Sequence, residues 1–362
     1  MKKIYNFSAG PAMLPIPVMK KAKKYFRNWK NTGSSVIEIS HRSDYFVNFL
    51  EKMKKNLRLI LNIPKDYKIL FCQGGARGQF SAIPMNLLKK NKTADYICSG
   101  YWSQCAAEEA KKYCIPNIIN IRNDSDKKKK IIPINEWFSN EKISYVHYCP
   151  NETIEGIAIE EEPEINNYND LIGDFSSTIL SKKIEIQKYS VIYASAQKNI
   201  GPAGITLIII KKSLLKKKKN NIPSILDYNI ISHNKSMFNT PTTFSLYIAG
   251  LVFQWIINIG GIKNIEKKNL IKSKLLYNII DKTGFYINNV EINNRSKLNI
   301  PFQIINPKLT EIFLQESFSQ GLLYLKGHSL IGGLRASIYN AMPIQGVKKL
   351  VKFMKYFENK YG

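Results

Sequence analysis

The sequence predicts an α/β fold: a large domain built on a mostly parallel sheet sandwiched by helices, plus a smaller α+β C-terminal domain. Two observations predict the large domain. The first is that short apolar segments alternate with helical stretches between residues 68 and 210. The second is that these apolar segments are only three to six residues long. Such alternation is typical of a parallel sheet covered by helices on both faces. A third observation, the length of 362 residues, leaves room for the second domain.

The elements of the large domain follow from apolar periodicity. Two helices come first, over about 17–29 and 46–61, and a polar loop over 37–43 separates them. The predicted strands then cover 68–72, 96–99, 117–120, 145–148, 171–173, 191–193 and 205–210, with helices over 78–88 and 102–113. In a sheet of this kind, ligands bind beyond the carboxyl ends of the strands.

A glycine pair marks the predicted boundary between the two domains. The strongly apolar helix over 243–259 ends at Gly260 and Gly261, and glycine is typical of a helix end. The predicted division is an N-terminal segment near the active site (1–15), a large domain (16–259) and a small domain (260–362). The small domain is predicted to contain helices over 262–281, 310–320 and 346–361 and strands over 285–287 and 302–305.

Positive charge is the unusual feature of the composition. The chain has 54 Lys and Arg against 27 Asp and Glu, a formal net charge of +27, which raises nucleic acid or an anionic membrane as partners. The lysine runs at 20–24, 127–130 and 216–219 lie on predicted helix faces or loops without interleaved aromatic residues. We therefore expect a solvated basic surface, with neither nucleic acid nor membrane as partner. A basic nucleic-acid-binding protein stays as the alternative from a different functional class.

Cysteine usage and the N-terminus indicate the cytosol. The five cysteines are odd in number and form no Cys-x-x-Cys pair, which favours reduced thiols over a disulfide framework, and no metal site is expected. The first residues are basic but include no apolar h-region. No run approaches the ~18 apolar residues of a membrane span. The expected location is therefore cytoplasmic.

One lysine stands out as a candidate catalytic residue. Lys198 lies between two apolar strands and precedes a turn that contains Gly201, Pro202 and Gly204. A buried, unpaired ammonium group is costly, so a lysine here loses its proton easily, which suits a nucleophile that binds an aldehyde. The alternative is a strand-end lysine that extends its amine to water. The polar residues after the other strands decide between the two.

Those polar residues form an ordered set. A Gly-Gly-Ala-Arg turn ending at Arg77 opens a helix, and the free N–H groups of a helix N-terminus bind phosphate. Trp102 offers an aromatic face, Thr153 a hydroxyl and Asp174 a carboxylate. Each alone also fits a structural role, as a turn, a core aromatic or a helix cap. Together with Lys198 they match the needs of pyridoxal 5'-phosphate (PLP), because the lysine holds the aldehyde and the aspartate keeps the ring nitrogen protonated. The large domain is therefore predicted to be a PLP-binding domain.

Longer sequence blocks run along the whole chain. They are NFSAGPAML (6–14), EISHRS (38–43), QGGARGQF (73–80), HYCPNETIEG (147–156), DFSS (174–177), SAQKNIGPAG (195–204), NTPT (239–242), KGH (326–328) and GLRASIYNAMP (333–343). With these blocks in this order, the chain resembles the phosphoserine aminotransferase family of the class V aminotransferases, which are fold-type-I PLP enzymes. The resemblance implies transamination between O-phospho-L-serine and 2-oxoglutarate, giving 3-phosphohydroxypyruvate and L-glutamate. It places that reaction in serine biosynthesis, and a phosphorylated hydroxythreonine would be the substrate in pyridoxine biosynthesis.

The resemblance also implies roles for the matching residues. Those that would hold the cofactor are Lys198 on its aldehyde, Asp174 on the pyridinium, Trp102 on the ring face, Thr153 on the ring oxygen, and Ala76, Arg77 and Gln197 on its phosphate. Asn239 and Thr240 of the neighbouring subunit of a homodimer would bind the same phosphate, so the active sites would lie at the subunit interface. The residues that would bind substrate are Arg335 on the α-carboxylate, and His41, Arg42 and His328 on the phosphate or the distal carboxylate of glutamate.

Two departures from the family pattern leave an alternative open. Ser329 stands where relatives commonly have an arginine, and Ser8-Ala9 stands where some carry paired serines. Losing one charge-assisted contact to phosphate costs ~1.5–3 kcal/mol, so we expect weaker phosphate binding than in relatives with the arginine. An aminotransferase for a non-phosphorylated amino acid is the alternative. A cysteine desulfurase is disfavoured, because no cysteine follows Cys149 and the stacking position is Trp102 rather than histidine.

Overall fold

A computed structural model describes residues 3–90, 93–124, 128–137, 143–164, 170–216 and 221–362. The helices in these ranges are α1 (Ile16–Lys24), α2 (Asp44–Leu61), α3 (Gly75–Leu87), α4 (Tyr101–Ala110), α5 (Tyr228–His233), α6 (Thr243–Asn258), α7 (Gly261–Thr283), α8 (Leu309–Ser319) and α9 (Ile344–Tyr361). The strands are β1 (Tyr5–Asn6), β2 (Tyr67–Cys72), β3 (Thr93–Cys98), β4 (Ile115–Asn120), β5 (Arg122–Asn123), β6 (Lys130–Ile131), β7 (Tyr145–Tyr148), β8 (Asn151–Glu152), β9 (Ile157–Ala158), β10 (Asp170–Asp174), β11 (Val191–Ser195), β12 (Thr206–Lys211), β13 (Tyr286–Ile287), β14 (Asn299–Ile304), β15 (Leu322–Leu323) and β16 (Leu334–Ser337).

A seven-stranded sheet in the order β2-β12-β11-β10-β7-β3-β4 is the centre of the fold. Strand β12 is antiparallel to both of its neighbours, β11 and β2. The pairings of β10 with β11 and β7, and of β3 with β7 and β4, are parallel. The α/β prediction with a mostly parallel sheet is therefore confirmed.

Hydrophobic clusters cover both faces of this central sheet. In β2, Ile69 and Phe71 point into one cluster, and Leu70, between them, points into the other. The first cluster is covered by α2 and α6, and the second by α3 and α4. Burial on both faces explains why these strands are continuous apolar runs in the sequence and do not alternate between apolar and polar residues.

A third hydrophobic cluster lies in the C-terminal part of the chain. There the antiparallel sheet β13-β14-β16 packs with α7, α8 and α9. Strand β1 pairs with β15, and Phe7 belongs to this same cluster. Further along the N-terminal segment, the Ala12 N–H donates to the Gln197 carbonyl oxygen at 2.9 Å. The N-terminal segment therefore connects the C-terminal cluster with the loop that carries Lys198.

The predicted domain boundary falls at a sharp change of direction. Helices α6 and α7 meet at 86° across Gly260 and Gly261, whose φ angles are 94° and 72°. The three-part division of the chain remains a prediction. Among the described helices, none is by itself both long and apolar enough to cross a membrane; α6 and α7 meet that test only as this bent pair.

Some predicted elements differ from the observed ones. Helix α3 begins three residues early, because Gly74 takes a left-handed conformation with φ 92° and caps it. Helix α1 ends at Lys24, short of the predicted 29. Helix α5 and strand β16 were not predicted. The first lysine run lies within α1, whereas residues 127 and 217–219 of the other two runs lie outside the described residues.

A buried lysine joins α7 to the loop after β16. Lys272 is 2% exposed, and its Nζ donates to the carbonyl oxygens of Ile338 at 2.9 Å, Tyr339 at 2.7 Å and Met342 at 3.1 Å. Burial lowers the pKa of Lys272 to about 7, but three carbonyl acceptors match the three N–H donors of its ammonium form. The same loop carries Tyr339, whose hydroxyl donates to the Ala9 carbonyl oxygen at 3.0 Å. Lys272 therefore stabilises the backbone next to the N-terminal segment.

We expect Lys272→Met to lower the free energy of unfolding by about 3 kcal/mol, because three buried carbonyl groups lose their donor. The measurement is urea denaturation followed by far-UV circular dichroism. The matched control is Lys268→Met, an exposed lysine one turn earlier on α7, which should change stability by less than about 0.5 kcal/mol. Equal stability of the two variants would contradict the role given to Lys272.

Candidate active site

A cavity of about 270 Å³ opens where several strands of the central sheet end. Seven of the residues predicted to hold a cofactor line it: Ala76, Arg77, Trp102, Thr153, Asp174, Gln197 and Lys198. They come from the ends of different strands and from the helices that follow. This placement agrees with the general position of ligand sites in open α/β sheets.

Lys198 is held at the base of this cavity by a tight loop after β11. The Ala196 N–H donates to Ile205 O at 3.0 Å, and the Gly201 N–H donates to Ala196 O at 2.8 Å. The Lys198 Nζ donates to Thr153 Oγ1 at 2.7 Å. Burial lowers the pKa of Lys198 to about 8, although the carboxylates of Asp174 and Glu152 oppose the change. The lysine therefore loses its proton more easily than a solvated lysine does.

Asp174 ends β10 and lies beside Lys198. It is buried, and its Oδ1 accepts a hydrogen bond from the Ser176 N–H at 2.9 Å. Burial raises the pKa of this carboxyl, while hydrogen bonds from Ser176, the charge of Lys198 and the Tyr193 hydroxyl oppose the rise. A buried carboxylate with these partners can pair with a cation placed in the cavity.

The N-terminus of α3 forms an anion-binding corner. Gly74 and Gly75 both have positive φ, at 92° and 63°, and the Ala76 N–H donates to Ser195 Oγ at 2.7 Å. Within the described part of the chain, the N–H groups of Gly75 and Arg77 have no hydrogen-bond partner. Free N–H groups at the start of a helix, beside an arginine, suit a phosphate.

Trp102 provides the aromatic wall. The Arg77 guanidinium carbon lies 5.5 Å from the centroid of its ring and the Lys198 Nζ lies 6.0 Å from it. Its indole Nε1–H is buried and has no partner among the described residues. The ring therefore lies across the cavity from the lysine and beside the anion-binding corner.

Arg335 and His328 come from the C-terminal part of the chain. Arg335, in β16, is half-buried, and its charge lowers the pKa of Lys198. In the ranges that the structure covers, its guanidinium forms no ion pair. The His328 ring lies 6.0 Å from the ring of Tyr101, the neighbour of Trp102. A half-buried guanidinium without a carboxylate partner is suited to bind an anion.

Six predicted residues do not line the cavity: Arg335, His328, His41, Arg42, Asn239 and Thr240. His41 and Arg42 are neighbours, with Arg42 Nε donating to His41 Nε2 at 3.4 Å. The exposed Asn239 and Thr240 lie beside Gln73, which donates to Thr240 O at 3.3 Å. The roles predicted for these residues, as for the residues that line the cavity, stay predictions.

Sequence reasoning gave no role to several polar residues that line the cavity: Asn151, Ser176, Ser177 and Ser195. Ser195 ends β11, and the other three lie two or three residues after β7 or β10, which is the position that a search of strand ends would examine. It also missed Glu152 and Glu155, whose partners are backbone groups some 50 residues away in sequence. The five cysteines are free thiols, buried or half-buried, and the described residues contain no group of three or more possible metal ligands.

Comparison with known proteins identifies the class first. The profile of the family Aminotransferase class-V matches residues 4–350, a span that includes both sheets and every residue of the cavity. The chain is thus a class-V aminotransferase.

Individual relatives identify the family within this class. The chain is 60% identical to a phosphoserine aminotransferase of Buchnera aphidicola subsp. Baizongia pistaciae, over 99% of this chain and 98% of that protein. The solved phosphoserine aminotransferase from Bacillus circulans subsp. alkalophilus has a TM-score of 0.96 at 37% identity, covering 99% of each chain. A PLP-bound phosphoserine aminotransferase from Trichomonas vaginalis has a TM-score of 0.92 at 37% identity, covering 98% of this chain and 100% of that one. The chain belongs to the phosphoserine aminotransferase family, and the predicted resemblance is confirmed.

The lowered pKa of Lys198 leads to a prediction about its reactivity. Because burial favours the neutral amine, Lys198 of the cofactor-free protein should become half-deprotonated near pH 8, well below the pKa of ~10.4 of a solvated lysine. The rate of acylation, measured across pH by mass spectrometry of the peptide containing Lys198, should rise through that pH. A free lysine derivative in the same tube is the control. A midpoint equal to that of the control would show that the amine is solvated.

Proposed function

We propose that this protein is a PLP-dependent aminotransferase that transfers the amino group between O-phospho-L-serine and 2-oxoglutarate, giving 3-phosphohydroxypyruvate and L-glutamate. The observation that carries the proposal is Lys198, of lowered pKa, beside the buried Asp174 at the base of a cavity with an anion-binding corner. The name of the relatives supports the substrate, and the PLP-bound relative supports the cofactor. The reaction belongs to serine biosynthesis.

The residues of the cavity fit PLP. Its phosphate matches the free N–H groups at the start of α3 and the charge of Arg77, with Ala76 and Gln197 beside them. Lys198 would hold the aldehyde, Asp174 would pair with the ring nitrogen, and Thr153 would contact the ring oxygen. The Trp102 face is large enough to pack on the ring. When bound, PLP supplies an electron sink that stabilises the negative charge left when the substrate Cα–H bond breaks.

The protein's own groups orient the substrate and move the proton. Arg335 binds the α-carboxylate through its planar guanidinium and so sets the direction of the Cα–H bond. Lys198 Nζ accepts the Cα proton and later releases it, for which a pKa of about 8 lies close to working pH. Thr153 Oγ1, which accepts a hydrogen bond from this Nζ, keeps the amine within the cavity.

The proposal has one competing version, which differs in whether the substrate carries a phosphate. The proposed contacts of the substrate phosphate are His41, Arg42 and His328, and the same residues would bind the distal carboxylate of glutamate. Ser329 is exposed on the loop beside His328. The absence of an arginine at 329 favours the competing version, an aminotransferase for a non-phosphorylated amino acid. We further propose that a phosphorylated hydroxythreonine, in pyridoxine biosynthesis, is accepted by the same site.

The proposed assembly is a homodimer in the cytoplasm. Asn239 and Thr240 are exposed and lie outside the cavity of their own chain, which supports a role at the cavity of a second subunit. The free cysteine thiols support a reducing compartment.

The test of the activity compares phosphoserine with serine. With PLP and 2-oxoglutarate present, we expect kcat/KM for O-phospho-L-serine to exceed that for L-serine by at least about a hundredfold, since each charge-assisted phosphate contact contributes ~1.5–3 kcal/mol. Formation of glutamate is measured, with Lys198→Ala as the inactive control. Similar values for the two amino acids would favour the competing version.

The variant Ser329→Arg tests whether the substrate phosphate lies near residue 329. It should lower KM for phosphoserine by about tenfold or more through one added charge-assisted contact, and should leave KM for serine unchanged. An unchanged phosphoserine KM would place the phosphate away from residue 329.

The homodimer has a separate test by complementation. Lys198→Ala and Asn239→Asp should each inactivate a homodimer, the second by repulsion between its carboxylate and the cofactor phosphate. If Asn239 acts on the neighbouring subunit, the two co-expressed variants form a mixed dimer in which one site contains both native residues, so activity returns. No recovery in purified mixed dimers would place Asn239 at its own chain's site, and full activity of the Asn239→Asp homodimer would place it at neither site.

A further inference from the structure

The N-terminus of α4, which carries Trp102, is capped by carboxylates from a distant segment. Its own N-cap residue is Gly100, which has no side chain to accept from the first N–H groups. Glu152 Oε2 accepts from the Trp102 N–H at 2.9 Å, and Glu152 Oε1 accepts from the Ser103 N–H at 2.9 Å and from its hydroxyl at 2.6 Å. Glu155 Oε1 accepts from the Tyr101 N–H at 2.9 Å. Two glutamates thus bind three successive N–H groups of this helix.

This arrangement is costly. Glu152 is 0% exposed and Glu155 is 6% exposed, and neither forms a salt bridge within the described ranges. Burial and the charge of Glu155 together raise the pKa of Glu152 to about 7, against the hydrogen bonds from Ser103 and Trp102. Glu155 Oε2 is buried with no partner in the described residues. A single serine or aspartate at position 100 would cap the helix without burying two like charges.

The two carboxylates lie in the same turn as the lysine's partner. Thr153, which accepts from Lys198 Nζ at 2.7 Å, stands between Glu152 and Glu155 in sequence. The turn therefore contacts both the helix that carries the aromatic wall and the amine at the base of the cavity. Any shift of the turn against α4 changes the separation of Trp102 and Lys198.

Glycines on both sides leave this turn little freedom. A Cβ at Gly100 would lie 2.6 Å from Glu152 Cγ and 2.8 Å from Glu155 Oε2. A Cβ at Gly156 would lie 2.3 Å from Pro301 Cδ, and its φ of +71° is unfavourable for other residues. The carboxylates are thus pressed directly against the start of α4.

We propose that Glu152 and Glu155 are positioning residues, which set the Trp102 ring at the distance from Lys198 that the bound PLP ring requires. The inference rests on the proposed function, since it assigns the seating of that cofactor to these two side chains. Neither carboxylate touches the reacting atoms; both act through the backbone of residues 101–103.

The test measures cofactor seating in Glu152→Gln, in which the amide has one acceptor oxygen and turns its NH2 toward an N–H group of the helix. We expect the Kd for PLP to rise about tenfold, because one charge-assisted hydrogen bond is lost. At saturating PLP, the visible circular dichroism of the bound cofactor should also decrease, since that signal reports the asymmetric contact of its ring with the protein. Glu155→Gln, which disturbs only the Tyr101 contact, should change both in the same direction by less.

Two further variants test whether the loss of cofactor binding requires the contact between these glutamates and the start of α4. Glu109→Gln, on the same helix, removes a carboxylate that accepts from Ser81 Oγ at 2.7 Å and should leave both the Kd and the dichroism unchanged. Gly100→Ala keeps both carboxylates but pushes Glu152 away, so it should reproduce the loss of dichroism.

Each outcome distinguishes this inference from the proposed function. If wild-type protein bound no PLP, the proposed function would be wrong. If wild-type protein bound PLP and the Glu152→Gln and Glu155→Gln variants had wild-type Kd and dichroism, with only a lower melting temperature, the glutamates would be structural caps and the positioning role would be overturned. Where Glu152→Gln does not fold, the folded Glu155→Gln variant decides.

Discussion

The hydrogen bond from Lys198 Nζ to Thr153 Oγ1 joins two strand ends of the central sheet at the base of the cavity. Burial disfavours the ammonium form of this lysine, and the charge of Arg335 acts in the same direction, while Asp174 and Glu152 favour it. These opposing effects leave a pKa of about 8. An amine with that pKa is neutral often enough to bind an aldehyde and protonated often enough to carry a proton.

The one antiparallel strand of the central sheet explains why the lysine is so firmly placed. Parallel neighbours need a long crossover, whereas antiparallel neighbours can be joined by a short connection. Strands β11 and β12 are such a pair, and the loop between them carries Lys198. The loop is closed by Gly201, where a Cβ would lie 3.3 Å from Ala249 Cα of α6. The reactive amine therefore stands on a short loop packed against a core helix, so little entropy is lost when it binds a ligand.

The sequence predicted the core of the fold and seven of the residues that line the cavity, and the reasons are physical. Fully buried strands are apolar runs, so β7 was predicted without error and β11 at its correct start. Helix α3 was predicted late, because Gly74 and Gly75 at its start have left-handed φ angles that no periodicity reveals. Strand β16 was missed because its four residues include Arg335 and follow two glycines. The glutamates at 152 and 155 were missed because their partners are mainly backbone groups, which carry no residue-type signal. The contacts predicted for Asn239 and Thr240 involve a neighbouring subunit, and the structure of one chain does not contain them.

The charges around the cavity combine two requirements that conflict. In the proposed function anionic ligands bind at Arg77 and Arg335, but the charge of Arg335 lowers the pKa of Lys198, and too low a value would leave no proton to carry. Buried carboxylates correct this, because a negative charge in a low-dielectric site acts strongly on its neighbours. Asp174 is one such group, and Glu152 is the other that opposes the lowering. Held by three donors at the start of α4, Glu152 supplies its charge without occupying the space of a ligand. Its burial cost is thus understandable in this site, because a neutral cap would remove one of the two carboxylates that oppose the lowering of the Lys198 pKa by burial and by Arg335.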